Sequence, residues 1–193
     1  MAARKRARRA APAAAGLDRL WAPWRMPYLR TAGKDTGCLF CRVARSRADR
    51  RDLVVTRTPH ALLMLNRFPY SPAHVMVALT RHVGSFARLH AEEREELLAL
   101  VALAERALGA EYKPHGLNVG ANLGRVAGAG VPGHLHMHLV PRWEGDTNFM
   151  PAIAATRVLP ESLDATWRRL RRVVATLAPA ARRPSRASGA RRG

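Results

Sequence analysis

Three histidines alternate in the segment His134-Leu135-His136-Met137-His138, and that spacing is the first chemical signal in the chain. In an extended strand, residues i, i+2 and i+4 project to one face, so the imidazoles form a row with neighbours about 6.5–7 Å apart. Leu135, Met137 and Leu139 then point the other way, toward a core. A purely structural strand is a poor home for such a row, because every ring has two nitrogens to satisfy. One chemistry it suits is metal binding, although the outer rings are far apart for a single zinc with ligand bonds of ~2.0–2.1 Å. The other is phosphoryl transfer. A neutral imidazole is a competent nucleophile near neutral pH, and flanking rings can hold phosphate oxygens or protonate a leaving group.

The residues just upstream favour the second reading. Asn122 to Gly133 carries glycines at 124, 128, 130 and 133, so the backbone can approach an anion and present N–H groups to it. A second cluster is Cys38-Leu39-Phe40-Cys41, which holds the only two cysteines. Cysteines this close seldom form a structural disulfide, and the spacing suggests metal binding or redox chemistry. Buried reduced thiols are the plain alternative.

Positioning these groups requires a framework, and the sequence sketches one. Short apolar runs at Leu53–Thr56, Ala61–Leu65 and His74–Leu79 read as strands, with a turn over Asn66–Pro72. Residues 91–109 switch to a 3–4 residue period through Leu97, Val101, Ala104 and Leu108, the pattern of a long amphipathic helix. Leu117–Leu123 and His134–Val140 read as two more strands. A last helix begins near Pro160-Glu161 and runs to about Leu177, with Leu163, Trp167, Leu170 and Val174 on one face. Strands, helix, strands, helix is the order of an α+β fold with an antiparallel sheet. Leu17–Leu29 holds much aromatic mass broken by two prolines, so Trp21 and Trp24 read as packing residues.

Composition bounds the rest. The chain has 193 residues, 48% of them hydrophobic, and a net charge of +19. Residues 1–16 and 179–193 supply ten of those nineteen charges and contain no acid. Both tails are rich in Ala, Arg, Pro and Gly without apolar periodicity, which predicts disorder around a single domain at 17–178. They could hold RNA, DNA or an anionic membrane surface by counterion release, or simply reflect a GC-rich genome. There is no secretory apolar run and no stretch of ~20 apolar residues, so a cytoplasmic protein with no membrane segment is expected.

With these residues in view, the chain resembles the histidine triad (HIT) family. His134-Leu-His-Met-His138-Leu-Val140 matches that family's His-φ-His-φ-His-φ-φ pattern, φ being apolar, and the likeness extends over roughly residues 17–175. Leu20 to Arg25, Cys38 to Cys41, Asn66 to Ser71, Asn122 to Gly130 and Pro141 to Met150 are similar to a bacterial branch of diadenosine tetraphosphate phosphorylases. The resemblance implies an antiparallel half-barrel sheet with one long and one C-terminal helix, assembled as a homodimer. It implies that His136 attacks the α-phosphorus, its other ring nitrogen oriented by the carbonyl of His134, and that His138 contacts phosphate or the leaving oxygen. Asn122 and the backbone of Ala129 and Gly130 would hold phosphate, Asn66 would face ribose, and Trp143 the base or the far end of the substrate. His74 aligns with an auxiliary histidine. In relatives with the cysteine pair, zinc is held by positions corresponding to Cys38, Cys41, His82 and His134, a structural role.

Two departures stand out. Gly130 replaces a frequent hydroxyl donor, and Ala73-His74 replaces the usual Gly-His. The implied activity is cleavage of a dinucleoside polyphosphate, foremost diadenosine tetraphosphate, to ADP and ATP with phosphate as acceptor or to AMP and ATP with water. Hydrolysis of nucleoside phosphoramidates is an alternative for the same triad. A nucleic-acid-binding protein acting through its tails is one of another class. His60, His90 and His115 lack such context, the charges of 92–106 read as a solvated face, and Glu144 and Asp146 have no carboxylate partner.

Overall fold

The computed structural model describes residues 37–146 and 160–178. The predicted tails, the aromatic segment at 17–29 and the block at 148–150 lie outside the described residues.

Five strands form one antiparallel sheet: β1 (Val54–Arg57), β2 (Ala61–Leu65), β3 (Val75–Leu79), β4 (Gly116–Gly120) and β5 (His136–Arg142). Their order is β1-β2-β3-β5-β4, so the last strand inserts between β3 and β4. Among the described residues four α-helices accompany them: α1 (Leu39–Arg45), α2 (Asp49–Asp52), α3 (Ala91–Tyr112) and α4 (Leu163–Leu177). The expected α+β architecture with a long and a C-terminal helix is what the chain adopts.

The unbroken apolar runs of β2 and β3 reflect cover on both faces of the sheet. On one face Leu63, Leu65, Val75, Val77, Leu79 and Leu139 pack with Leu97, Leu100, Ala104 and Leu108 of α3 and with Leu170 and Val174 of α4. On the other, Val54, Leu62, Met64, Met76 and Ala78 are covered by Phe40 and Val43 of α1. Strand alternation therefore sends every second residue of β2 and β3 to each core. Pairing of Met76 with His138 and Ala78 with His136 places both histidines on the α1 face.

Boundaries differ from expectation in ways the backbone explains. α3 runs three residues past 109 and stops where Lys113 turns left-handed at φ 46°. β4 ends at Gly120, releasing Ala121–Leu123 into the glycine-rich loop. β5 begins at His136, while His134 and Leu135 follow the chain beyond β3 through a Leu135 N–H bond to the Val83 carbonyl at 2.7 Å. α1 and α2 are the helices that periodicity missed, being only seven and four residues long.

Candidate active site and metal centre

His136 and His138 share a face and a strand, yet the protein holds them in opposite tautomers. The Nδ1 of His136 lies 2.7 Å from the carbonyl oxygen of His134, which only accepts, so Nδ1 carries the proton and Nε2 keeps its lone pair. Burial pushes this imidazole below its ordinary pKa, opposed by that carbonyl bond. The ring is therefore neutral near pH 7, with its free lone pair on Nε2.

His138 is set from the opposite side. The Tyr70 N–H donates to His74 Nδ1 at 3.1 Å, leaving the proton of a neutral His74 on Nε2. That Nε2–H donates to His138 Nδ1 at 2.9 Å, so the proton of a neutral His138 sits on Nε2. Adjacent rings, with centroids 5.0 Å apart, thus offer a lone pair and an N–H donor. His74 itself is buried and works through His138. The turn after β2 makes this possible. Asn66 accepts from the Phe68 N–H at 2.9 Å and Ser71 Oγ donates to the Pro141 carbonyl at 2.8 Å, tying the turn to β5. Ala73, at the family's usual glycine position, adopts φ 56°, a left-handed conformation that costs a residue with Cβ roughly 1 kcal/mol.

A cavity of about 230 Å³ opens beside the pair. Apolar side chains form much of its wall, among them Phe40, Leu65, Met64 and Val131, and polar or charged lining comes from Asn66, Arg42, Arg67, Asp52 and both histidines. The β1–β2–β3–β5 row of Val54, Met64, Met76 and His138 crosses the sheet through paired positions. Of that row Met64, Met76 and His138 line the cavity, and at strand spacings of about 4.8 Å they span about 10 Å of its floor.

The sequence-derived phosphate loop is only partly on this wall. Gly130 lines the cavity, whereas Asn122, Ala129 and Trp143 do not. The loop folds on itself, with Gly124 and Gly128 at positive φ and the Ala129 N–H directed to the Gly124 carbonyl at 3.3 Å. A phosphate contact from Ala129 would require that bond to open. Trp143 is half-buried beyond β5, where its N–H donates to Asp146.

Next to the pair lies a second cluster. One ligand atom from each of Cys38, Cys41, His82 and His134 falls within 4.8 Å of all the others. The His134 Nε2–H donates to the Leu79 carbonyl at 2.8 Å, turning the Nδ1 lone pair to Cys38 Sγ at 3.2 Å and Cys41 Sγ at 3.6 Å. His82 Nδ1 lies 3.3 Å from Cys41 Sγ. Burial, reinforced by Cys38 beside it, raises the Cys41 thiol above its ordinary pKa, a preference that a cation would reverse by binding thiolate. Two imidazoles and two sulfurs at these separations fit a tetrahedral metal. The loops meet because a Cβ on Gly84 would stand 3.2 Å from the Gly133 main chain, and one on Gly133 would stand 3.2 Å from His82. Sequence reasoning named all four members of this cluster but gave no role to Phe40 between the cysteines, or to Tyr70, Arg42 and Arg67. Phe40 stood inside the quoted cysteine motif as an unexplained aromatic.

An antiparallel sheet with an aligned histidine row, a polar-ended cavity and glycine-rich loops defines a histidine triad enzyme. The HIT domain family matches residues 47–145, and the chain belongs to that family as a nucleotide-processing enzyme. Among curated proteins it is similar to the AP-4-A phosphorylase of Mycobacterium tuberculosis, 39% identical over 162 residues, covering 80% of this chain and 83% of that one. A histidine triad nucleotide-binding protein from Sulfolobus tokodaii has the same fold at TM-score 0.57 and 26% identity, covering 72% of this chain and 93% of that one. A zinc-bound histidine triad family protein from Mycobacterium smegmatis is alike in fold, at TM-score 0.57 and 22% identity, with 73% and 95% covered.

Proposed function

We propose that this enzyme cleaves dinucleoside polyphosphates, with diadenosine tetraphosphate as substrate and phosphate as acceptor, through a covalent nucleotidyl-histidine. The observation that carries the reading is the opposed tautomers of His136 and His138 at one cavity. The 39% identity to an AP-4-A phosphorylase supports the substrate class.

His136 Nε2 attacks the α-phosphorus, forming a P–N bond as the bond to the leaving polyphosphate oxygen breaks. The His138 Nε2–H hydrogen-bonds a phosphate or leaving oxygen as its charge develops, and the leaving group departs as the ATP anion. A phosphate oxygen then attacks the same phosphorus and releases ADP, restoring His136. Asn66 faces the ribose, Gly130 offers its main chain to phosphate, Asn122 and Ala129 join it once the Ala129–Gly124 bond opens, and Trp143 faces the base or the far end of the substrate. Incubation with diadenosine tetraphosphate, with and without phosphate, tests this by product identity. Phosphate-dependent ADP alongside ATP is expected, and His136→Ala should lower turnover by at least about 10³-fold. AMP in place of ADP would reassign the acceptor to water. Retained turnover in the variant would remove the covalent step.

Zinc is the metal we infer for Cys38, Cys41, His82 and His134, since mixed thiolate and imidazole donors in a closed tetrahedral set suit it. Bound there, it would tie α1 to the loops before β5. Native mass spectrometry should show zinc bound to the intact chain, and chelation should lower its melting temperature. A metal-free chain of unchanged melting temperature would overturn the assignment. The domain is taken as 17–178, cytoplasmic. A homodimer is inferred from β4, an edge strand with Val119 half-exposed. Light scattering at twice the chain mass would support it.

A further inference from the structure

Phe40 occupies an unusual place. It is the third residue of Cys38-Leu39-Phe40-Cys41, so its backbone lies between two proposed metal ligands. Its side chain is 1% exposed and packs on two triad histidines at once, with ring centroids 5.1 Å from His134 and 4.6 Å from His136. His134 is a proposed ligand, and its carbonyl accepts the bond that sets the His136 tautomer. Two physical links thus run from the cysteine pair to the nucleophile. One passes through the His134 main chain and the other through the Phe40 ring.

We propose that Phe40 is a positioning residue that transmits metal occupancy to the His136 imidazole, so that the metal centre keeps the nucleophile in its attacking tautomer. This deepens the functional reading above and rests on it for the role of His136. When Cys38, Cys41 and His134 share a cation, the first turn of α1 is pinned to the segment entering β5, and the Phe40 ring is pressed against His136. The ring plane is then held where Nδ1–H meets the His134 carbonyl and Nε2 faces the cavity. With the metal gone, α1 is free to shift. The imidazole can then rotate about its side-chain bonds, and its Nδ1–H bond and tautomer become mixed. Aromatic packing of this kind is directional as well as apolar, so an aliphatic residue of similar volume keeps the burial and loses the orientation.

The test uses the full chain labelled with ¹⁵N at histidine, read by imidazole NMR and by steady-state kinetics on diadenosine tetraphosphate. Zinc-loaded wild type should give the pattern of an Nδ1-protonated ring at His136. Chelation of zinc should convert it to a mixed pattern, and Phe40→Leu should do so with zinc still bound. Phe40→Leu should also lower kcat about tenfold with KM held within about twofold, and chelation should cost the variant less than it costs wild type, the share carried by the Phe40 ring being already lost. A rise in KM with kcat and the His136 signal unchanged would make Phe40 a cavity wall and overturn the proposal. So would a His136 pattern indifferent to zinc in a folded chain. If chelation unfolds the protein, zinc-loaded Phe40→Leu decides, and Phe40→Met provides a second side chain of similar bulk without a ring. If wild type turns over no dinucleotide, the functional reading fails, while the NMR arm still decides the coupling between metal and ring.

Discussion

His74 is buried behind His138 and sets which nitrogen of that ring carries the proton. Its Nδ1 is committed to the Tyr70 N–H, with the Asn66 amide nitrogen also nearby at 3.4 Å, so Nε2 is left to donate to His138. Tyr70 adds a ring contact to each histidine, at 4.8 Å to His74 and 6.2 Å to His138. Replacing His74 with Leu removes the donor and frees His138 to place its proton on either nitrogen. The donor at the cavity is then present only part of the time, and the loss should fall on stabilisation of developing charge in the transition state more than on ground-state binding. A donor aimed at developing charge contributes about 10²–10³-fold, so partial loss of the correct His138 tautomer should lower kcat about 10–100-fold with little change in KM. Kinetics of His74→Leu check this. An equal loss in His138→Asn and in the double variant His74→Leu/His138→Asn would show that His74 acts through that one ring. Full additivity would break the relay.

At the scale of elements, the junction between β3 and α3 carries a buried carboxylate that anchors the stretch bearing His82. Glu93 accepts from the Arg81 guanidinium at 2.6 and 2.7 Å and from the His90 N–H at 2.9 Å. The Arg81 guanidinium, foremost among these, holds the carboxyl down at about 2 despite burial that acts the other way. The folded value lies below the unfolded one near 4.3, so the ionised form stabilises the fold above that pH, and the contribution disappears as pH falls toward 2. Arg81 is half-exposed and its attraction screened, which leaves about 2 kcal/mol near neutrality. Glu93→Gln should cost about that much at pH 7 and flatten the loss of stability between pH 5 and 2. Denaturant unfolding at a series of pH values reads both effects. Parallel pH curves for variant and wild type would contradict the assignment.

The same scale shows what the sequence could convey. β2 and β3 were legible because a run such as Val75–Leu79 has no other reading at that length, and the two longer helices because their apolar positions recur over several turns. The triad was legible from residue type, and the clustering of Cys38, Cys41, His82 and His134 from resemblance. α1 was not, since seven residues present too few turns for a period to emerge. Nor was the His74–His138 bond, which depends on the β3–β5 register, a pairing between residues about sixty positions apart. Local spacing could not show that the Ala129 N–H turns inward, because glycines allow a loop many closures.

For the whole molecule, charge is the property most out of balance. The +19 of the chain includes ten charges in residues 1–16 and 179–193, so about nine remain on the body. Two arginines, Arg42 and Arg67, lie on the cavity wall itself. A polyanionic dinucleotide approaching this cavity is drawn by a field that salt screens, with a Debye length of about 10 Å at 0.1 M. Steering acts on encounter and leaves the bonded complex alone. Accordingly kcat/KM for diadenosine tetraphosphate should fall several-fold as ionic strength rises from about 0.05 to 0.5 M, while kcat stays nearly constant. Arg42 and Arg67 remain when residues 1–16 and 179–193 are deleted, and being nearest the cavity they should dominate the field a substrate meets. The truncated chain should therefore keep kcat within about twofold and retain much of the salt dependence. Rate measurements across a salt series on both chains separate the possibilities. A flat kcat/KM in the full chain would exclude steering. Collapse of kcat in a truncated chain that still folds would assign the tails a part in nucleotide chemistry, and loss of salt-sensitive retention on RNA with turnover intact would assign them a polyanion partner instead.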